Sequence, residues 1–216
     1  MLVFGAGGHA KVVIDIARKA GFFVVGVVDE AQAAGSEFCG ASVLGRTAEI
    51  VRICQEIQCS AGVVAIGNNM LRANVVQNIL DVYPQFQFVT LVHPSAVLGE
   101  NVLIGEGSVI MAGAIVNPAA NIGRHIIVNT KASVDHDAQI GDFTSIAPGA
   151  TLGGNVGVGE HTAIGLGANV IHGVTIGKHT VVGAGALVNK ALPDFVVAFG
   201  VPARVVRARV AGDRYL

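Results

Sequence analysis

Apolar residues in the second half of the chain recur at a fixed interval of six. Stepping from Ala96, the third residue of each hexad reads Leu98, Ile104, Ile110, Val116, Ile122, Val128, Val134, Ile140, Ile146, Leu152, Val158, Ile164, Val170, Ile176, Val182 and Val188. The first residue of the same hexads is mostly small, as at Ala114, Ala120, Ala132, Ala138, Thr144, Ala150 and Ala168. A period of six fits neither a 3.6-residue helix nor a long strand of period two. It predicts short strands with a corner after each, stacked as a parallel β-helix, with small and large apolar residues alternating inward. Glycine is common near those corners. Three hexads make a triangular coil, so the repeat predicts about five coils at ~4.8 Å spacing, a prism roughly 25 Å long.

The first ninety or so residues follow a different rhythm. A short apolar strand, Leu2 to Phe4, leads through Gly5-Ala6-Gly7-Gly8-His9-Ala10 into an amphipathic stretch from Lys11 to Lys19. A second strand, Phe23 to Val28, ends at Asp29, and helical stretches over Thr47 to Gln58 and Asn69 to Val82 flank a third strand, Val63 to Ile66. This alternation predicts a small parallel, Rossmann-like α/β domain over residues 1–92, followed by an all-β unit, the β-helix with its C-terminal tail, over 93–216. Gly5-x-Gly7-x-x-Ala10 with Asp29 further on matches the form of a dinucleotide fingerprint, in which glycines let backbone amides approach a phosphate at a helix start. The domain has room for only half of a dinucleotide fold, so a single nucleotide head, such as that of a nucleotide sugar, fits it better than NAD. The plainer alternative is that the glycines only make a tight turn and that His9 only begins a helix.

Composition narrows the partners. The chain has 216 residues, 52% of them hydrophobic, which suffices for two compact units. A mean hydropathy of +0.62 raises the question of a membrane, yet the charge-free stretch Ser108 to Gly123 is broken by Asn117, Pro118 and Asn121, so no bilayer span is expected. The opening MLVFGAGG lacks the basic start and cleavage site of a secretory signal, which points to the cytoplasm. Cys39, Cys54 and Cys59 are odd in number and contain no CxxC pair, so they are expected to be buried free thiols rather than a disulfide framework or a thiolate zinc site. A net charge of -1 without basic, aromatic-interleaved stretches excludes a nucleic acid partner and leaves a small molecule.

One hexad stands out chemically. Ala132-Ser133-Val134-Asp135-His136-Asp137 sets a histidine between two acids at a corner. Residues 18 apart stack, so Pro118, His136, Gly154, His172 and Lys190 form one column, and Gly154 leaves a gap beside His136 where a substrate could approach. Imidazole titrates near the working pH, so a histidine held at such a corner suits the role of a general base. Asp137 is the choice for the acid that orients the ring, and no serine or cysteine nucleophile is required if the two substrates are held together. The bland alternative makes His136 a polar residue of a subunit interface.

The segments GAGGHAKVV, VVDE, AIGNN, VNTKASVDHDAQIGDF and GVPARVV together resemble the sialic acid O-acetyltransferase family of hexapeptide-repeat acyltransferases, in particular its bacterial nucleotide-sugar N-acetyltransferases. The resemblance spans essentially the whole chain. It implies a left-handed β-helix, a homotrimer with sites between subunits, acetyl-CoA as co-substrate, no metal, and N-acetylation of a nucleotide-linked amino-sugar such as a 4-amino-4,6-dideoxy sugar for bacterial glycan synthesis. By the same resemblance His136 is the base and Asp137 increases its basicity; Gly7, Gly8, His9, Asp29, Glu30, Gly67 and Asn129 contact the nucleotide sugar. Acetyl-CoA is implied along Ser145, Gly154, Leu166 and Ala184, with Arg204 near its phosphates. Two departures matter: Ser145 stands where some relatives carry histidine, and Glu30 where some carry aspartate, which leaves UDP against GDP open.

Two other readings compete with this one. The same base could serve O-acetylation of sialic acid or another sugar. Carbonic anhydrases also use this helix with three zinc-binding histidines, and His136 and His172 are two coils apart; but position 177 is Gly177, and His179 falls two residues later. His125, His161 and His179 are expected to be surface corners.

Overall fold

The computed structural model describes residues 1–213. Leu2–Phe4 (β1) lies at the centre of a sheet, parallel to Gly26–Val28 (β2) on one side and Ala61–Val64 (β5) on the other. Three short strands that the hydrophobic pattern does not foretell, Glu37–Phe38 (β3), Ala41–Gly45 (β4) and Gln87–Phe88 (β6), complete the order β3-β4-β2-β1-β5-β6. The helices are Gly8–Lys19 (α1), Ile50–Ile57 (α2) and Asn69–Val82 (α3). Because successive strand residues face opposite ways, Val3 packs with Val13 and Ile14 of α1, while Leu2 and Phe4 pack with Ile53 of α2 and Ile79 of α3. Helix α1 starts at Gly8, not Lys11, so the glycine turn is the first turn of the helix itself.

From Leu91–Val92 onward, two-residue strands pair in parallel with the strand 18 residues later, as in Ile127↔Ser145, Ser133↔Thr151 and Gln139↔Gly157. They form the three faces of a prism. The first face runs from Leu91–Val92 to Val181–Val182 and is extended by Val196–Gly200 and Ala203–Ala208; the second runs from Val97–Leu98 to Leu187–Val188; the third from Leu103–Ile104 to Thr175–Ile176. The inward column is buried from Ile110 onward, but Leu98 is 41% exposed because it lies in the terminal coil. Of the three thiols expected to be buried, Cys54 is; Cys39 and Cys59 are half-buried at the margins of the sheet.

The corners impose a rule of their own. The sixth residue of every hexad but the last adopts a left-handed backbone: Asn101, Ala119, His125, Lys131, Asp137, Phe143, Asn155, His161 and His179 have φ between 51° and 60°, and glycine fills positions 107, 113, 149, 167, 173 and 185. On the edge between the third and first faces this position carries rings. His125, Phe143, His161, His179 and Phe195 stack with centroid separations of 5.0, 5.1, 4.7 and 4.8 Å, set by the strand spacing. The three histidines are therefore not surface corners: His125 is only 3% exposed, and His161 and His179 are half-buried between their neighbours' rings.

The α/β domain is fastened to this edge. Arg72 of α3, 1% exposed, donates from Nε to the His125 carbonyl at 2.9 Å and from Nη2 to that of Phe143 at 2.9 Å. It also donates from Nη1 to the carbonyls of Ile66 at 2.9 Å and Gly67 at 3.1 Å, and from Nη2 to Asn69 Oδ1 at 2.8 Å. Asn69 in turn donates to the Thr162 carbonyl at 3.0 Å. On the other side of the sheet, the α1 core continues into Leu91, Val109, Met111 and Ile127 on the first face. Replacing Arg72 by methionine strands several buried carbonyls, so Arg72→Met should lower stability by ~3 kcal/mol or more in urea unfolding. A loss below ~1 kcal/mol, the net worth of one ordinary hydrogen bond, would show that the guanidinium does not hold the domains.

Candidate active site

The Asp135-His136-Asp137 corner lies on the edge between the second and third faces, after Ser133–Val134 and before Gln139–Ile140. Asp135 Oδ1 accepts from the His136 amide at 2.8 Å and from Asn117 Nδ2, one coil away, at 2.7 Å. Those two bonds, the one from Asn117 foremost, hold its carboxyl below the usual range. The left-handed backbone at Asp137 turns its side chain back onto the imidazole, and Oδ2 meets His136 Nδ1 at 2.7 Å. That bond is the main cause of a His136 pKa above its ordinary value of 6.5. With Nδ1–H given to the carboxylate, the free lone pair is at Nε2. Nε2 points at Gly154, where any Cβ would collide with it, and the His172 ring lies beyond with its centroid 6.1 Å away.

A cavity of about 640 Å³ lies elsewhere, on the outer surface of the first face. Its wall is built from successive rungs of that face, including Ile127, Asn129, Ser145, Ala147, Ala163, Gly165, Val181 and Gly183, with Leu166 and Ala184 at the corner; His9 and Gly67 of the α/β domain form its upper end. Burial, with a smaller contribution from the Arg72 charge, pushes the His9 pKa down to about 4, so the ring is neutral. Its buried Nε2 makes no hydrogen bond with the described residues, and the residue lines the cavity. Of the residues singled out in sequence, His9, Gly67, Asn129, Ser145, Leu166 and Ala184 thus come together here.

The others lie apart. Asp29 and Glu30 line a second cavity of about 270 Å³ with Gly5, Ile66 and Leu71. Asp29 spends both oxygens on backbone amides, accepting from Ala6 at 2.7 Å and from Ala31 and Gln32 at 2.9 and 3.0 Å; Glu30 accepts from the Thr47 amide at 3.0 Å. Gly7 caps α1 without a side chain, and a Cβ at Gly7 or Gly8 would touch nothing within 4 Å. No protein neighbour demands glycine there, and the helix N-terminus stays open to an anion. Arg204 turns onto its own strand, donating to the Ala203 carbonyl at 2.9 Å, while Arg207, Phe199 and Pro148, not singled out in sequence, line the main cavity. Among the described residues no three His, Cys, Asp or Glu side chains gather as a metal site, and His179 sits in the ring stack on a different edge from His136 and His172.

The edge between the second and third faces is, in a triangular prism, the one opposite the first face. His136 and the cavity therefore lie on opposite sides of a single chain. They lie at one height, however: His136 and Asn129 belong to the same coil, and Gly154 and Ser145 to the next.

Residues 1–79 match the family of the PglD N-terminal domain. The chain resembles the solved structure of PerB from Caulobacter crescentus, in complex with CoA and GDP-perosamine, at 42% identity and a TM-score of 0.89, over 95% of this chain and 96% of that one. The chain belongs to the nucleotide-sugar N-acetyltransferase family. Another member is the acetyltransferase domain of PglB from Neisseria gonorrhoeae, solved with acetyl coenzyme A, at 36% identity and a TM-score of 0.86, over 95% of this chain and 98% of that one. A curated relative, UDP-N-acetylbacillosamine N-acetyltransferase of Bacillus subtilis (strain 168), is 36% identical over 114 residues, and the match spans 50% of its length and 51% of this chain. The fold common to these acetyltransferases is the small α/β domain followed by a left-handed parallel β-helix.

The contact between Asp137 and His136 makes a direct prediction. Asp137→Asn keeps a residue tolerant of the left-handed corner but removes the carboxylate, so the His136 pKa should fall toward 6.5 in an NMR titration. An unchanged or higher value would show that Asp137 does not set the basicity.

Proposed function

We propose that this protein transfers the acetyl group of acetyl-CoA to the amine of a nucleotide-linked amino-sugar, a 4-amino-4,6-dideoxy sugar being the class that fits best. The observation that carries the proposal is the His136 lone pair, oriented by Asp137 and facing the Gly154 gap, at the same height as a cavity bounded above by His9. His136 Nε2 takes a proton from the acceptor amine as its nitrogen attacks the thioester carbonyl. The C–N bond forms, the tetrahedral adduct collapses with cleavage of the C–S bond, and the imidazolium returns its proton to the departing thiolate. No covalent enzyme intermediate is needed.

In this reading the nucleotide's base occupies the smaller cavity, with Glu30 as its reader and Asp29 as the brace of the loop. The diphosphate meets the open amides at Gly7 and Gly8, and the sugar reaches past Gly67 and His9 to Asn129. Acetyl-CoA lies along the first face by Ser145, Leu166 and Ala184, with Gly154 leaving room for the thioester and Arg204 in reach of its phosphates. The opposite placement of base and cavity is why we propose a homotrimer, in which the His136 edge of one copy meets the first face of the next. Trimer formation about an axis parallel to the prism keeps residues of equal height together. The relatives bound to CoA with GDP-perosamine, and to acetyl coenzyme A, support both ligands. The Caulobacter relative has also been solved with one of its histidines replaced, as the asparagine and the alanine variants. No helix among the described residues is long and apolar enough to cross a membrane, and we place the enzyme in the cytoplasm.

Free-thiol release should be measured with acetyl-CoA and a panel of UDP- and GDP-linked 4-amino sugars, with free sialic acid as the O-acetylation arm. One amino-sugar nucleotide should support turnover, and His136→Ala should reduce it by ~10² or more while leaving the thermal midpoint in place. Release with sialic acid alone, or full turnover by folded His136→Ala, would contradict the proposal.

A further inference from the structure

The corner that carries His136 holds a second imidazole. His172 stands in the same column two coils further on, with Gly154 between them. Two coils at the strand spacing set equivalent positions ~9.6 Å apart, yet the centroids of the two rings are 6.1 Å apart, with the planes tilted by 47°. On the edge between the third and first faces, Phe143 fills the place between His125 and His161, and each ring keeps the spacing of one coil from the next. Here the place between is empty, and the two rings converge over it. A Cβ on Gly154 would collide with the His136 ring, so the convergence needs glycine.

The two rings differ in their surroundings. His136 has Nδ1 on Asp137 at 2.7 Å, and among the described residues it is the only histidine paired with a carboxylate. His172 is exposed. Asp135 lies within electrostatic reach of both rings: Asn117 and the His136 amide first, and then the charges of His136 and His172, hold its carboxyl below the usual range. Lys190, one coil further along the column, is the next charged group beyond His172.

Acetylation of an amine sets a requirement that one imidazole does not meet. An alkylamine is mostly an ammonium at neutral pH. The ammonium carries three N–H bonds and the amide product one, so two protons leave the nitrogen. One reaches the thiolate sulfur by way of His136, and the other goes to solvent. With the acceptor in place, His136 has Nδ1 on Asp137 and Nε2 on the acceptor, and neither nitrogen is left to pass a proton to water. The exposed His172 ring has that freedom. A nitrogen that hydrogen-bonds two partners at a tetrahedral angle holds them about 4.7 Å apart. One ammonium therefore fits between rings whose centroids are 6.1 Å apart and donates to both.

We propose that His172 is a second catalytic base, which takes the first proton from the bound ammonium and releases it to solvent, while His136 takes the second as the nitrogen attacks the thioester. The proposal rests on acetyl transfer to an amine and adds the route by which the acceptor becomes a nucleophile. The N–H bond breaks with its electron pair left on nitrogen, and the proton passes through His172 to water, so the acceptor loses its charge before the C–N bond forms.

The test is a pair of pH profiles for thiol release by the wild-type protein and His172→Gln, with the UDP- or GDP-linked 4-amino sugar that supports turnover. Glutamine keeps the bulk and the hydrogen bond but accepts no proton. An amine with a pKa of about 8 is about one-tenth neutral at pH 7, and the variant is left with that fraction. For the acceptor, kcat/KM should therefore fall about tenfold at pH 7 and by less than about twofold at pH 9, with the KM for acetyl-CoA and the thermal midpoint unchanged. His136→Ala, by contrast, should lose ~10² or more at both. A defect of equal size at the two pH values, no defect at either, or a raised KM for acetyl-CoA in its place overturns the assignment and leaves acetyl transfer standing. Wild-type protein that releases no thiol with any amino-sugar nucleotide sinks both.

Discussion

The guanidinium of Arg72 is the point on which the arrangement of the molecule turns. A buried cation is tolerated only when its donors are satisfied, and Arg72 meets that condition by collecting carbonyls from two units that the sequence makes separately. Ile66 and Gly67 belong to the end of the α/β domain, while His125 and Phe143 belong to corners of the β-helix. The same contacts that satisfy the guanidinium fix Gly67 over the prism, and with it the neighbouring His9 at the upper end of the main cavity. The stacked rings beneath Arg72 follow from the repeat, since one coil per strand spacing is also the distance at which aromatic rings stack.

The β-helix acts as a ruler. Each coil adds one rung to a face and one residue to each corner column, so function can be distributed by height and by edge. The acid–histidine corner takes one edge, the domain anchor takes another, and the cavity occupies the face opposite the first of these. Left-handed corner residues matter to chemistry as well as to shape: at Asp137 that backbone brings the carboxylate to within 2.7 Å of His136 Nδ1. What one chain keeps apart at equal height, a neighbouring copy can join.

Much of this was legible from spacing alone. The six-residue period specified strands, corners and the column that sets Gly154 beside His136, because a repeat converts sequence separation directly into distance. The strands β3, β4 and β6 were not legible, being two to five residues long and without a clear alternation. The ring stack is not legible from single positions, because His125, His161 and His179 each read as a surface corner, although Phe143 and Phe195 complete their column. Arg72 carries no local sign, since a lone charged residue in a helical stretch reads as solvated. Arg207 depended on a register shift between two strands, which no pattern in the chain announces.

The most direct test of a site shared between copies is subunit complementation. His136→Ala removes the base but keeps the cavity, and Ser145→Trp fills the cavity but keeps the base. Each alone should be nearly inactive. If the His136 edge of one copy serves the cavity of another, assemblies containing both variants should regain thiol release, because some sites then combine an intact edge with an intact cavity. Mixed assemblies, verified by differential tagging, that remain as inactive as either parent would contradict it.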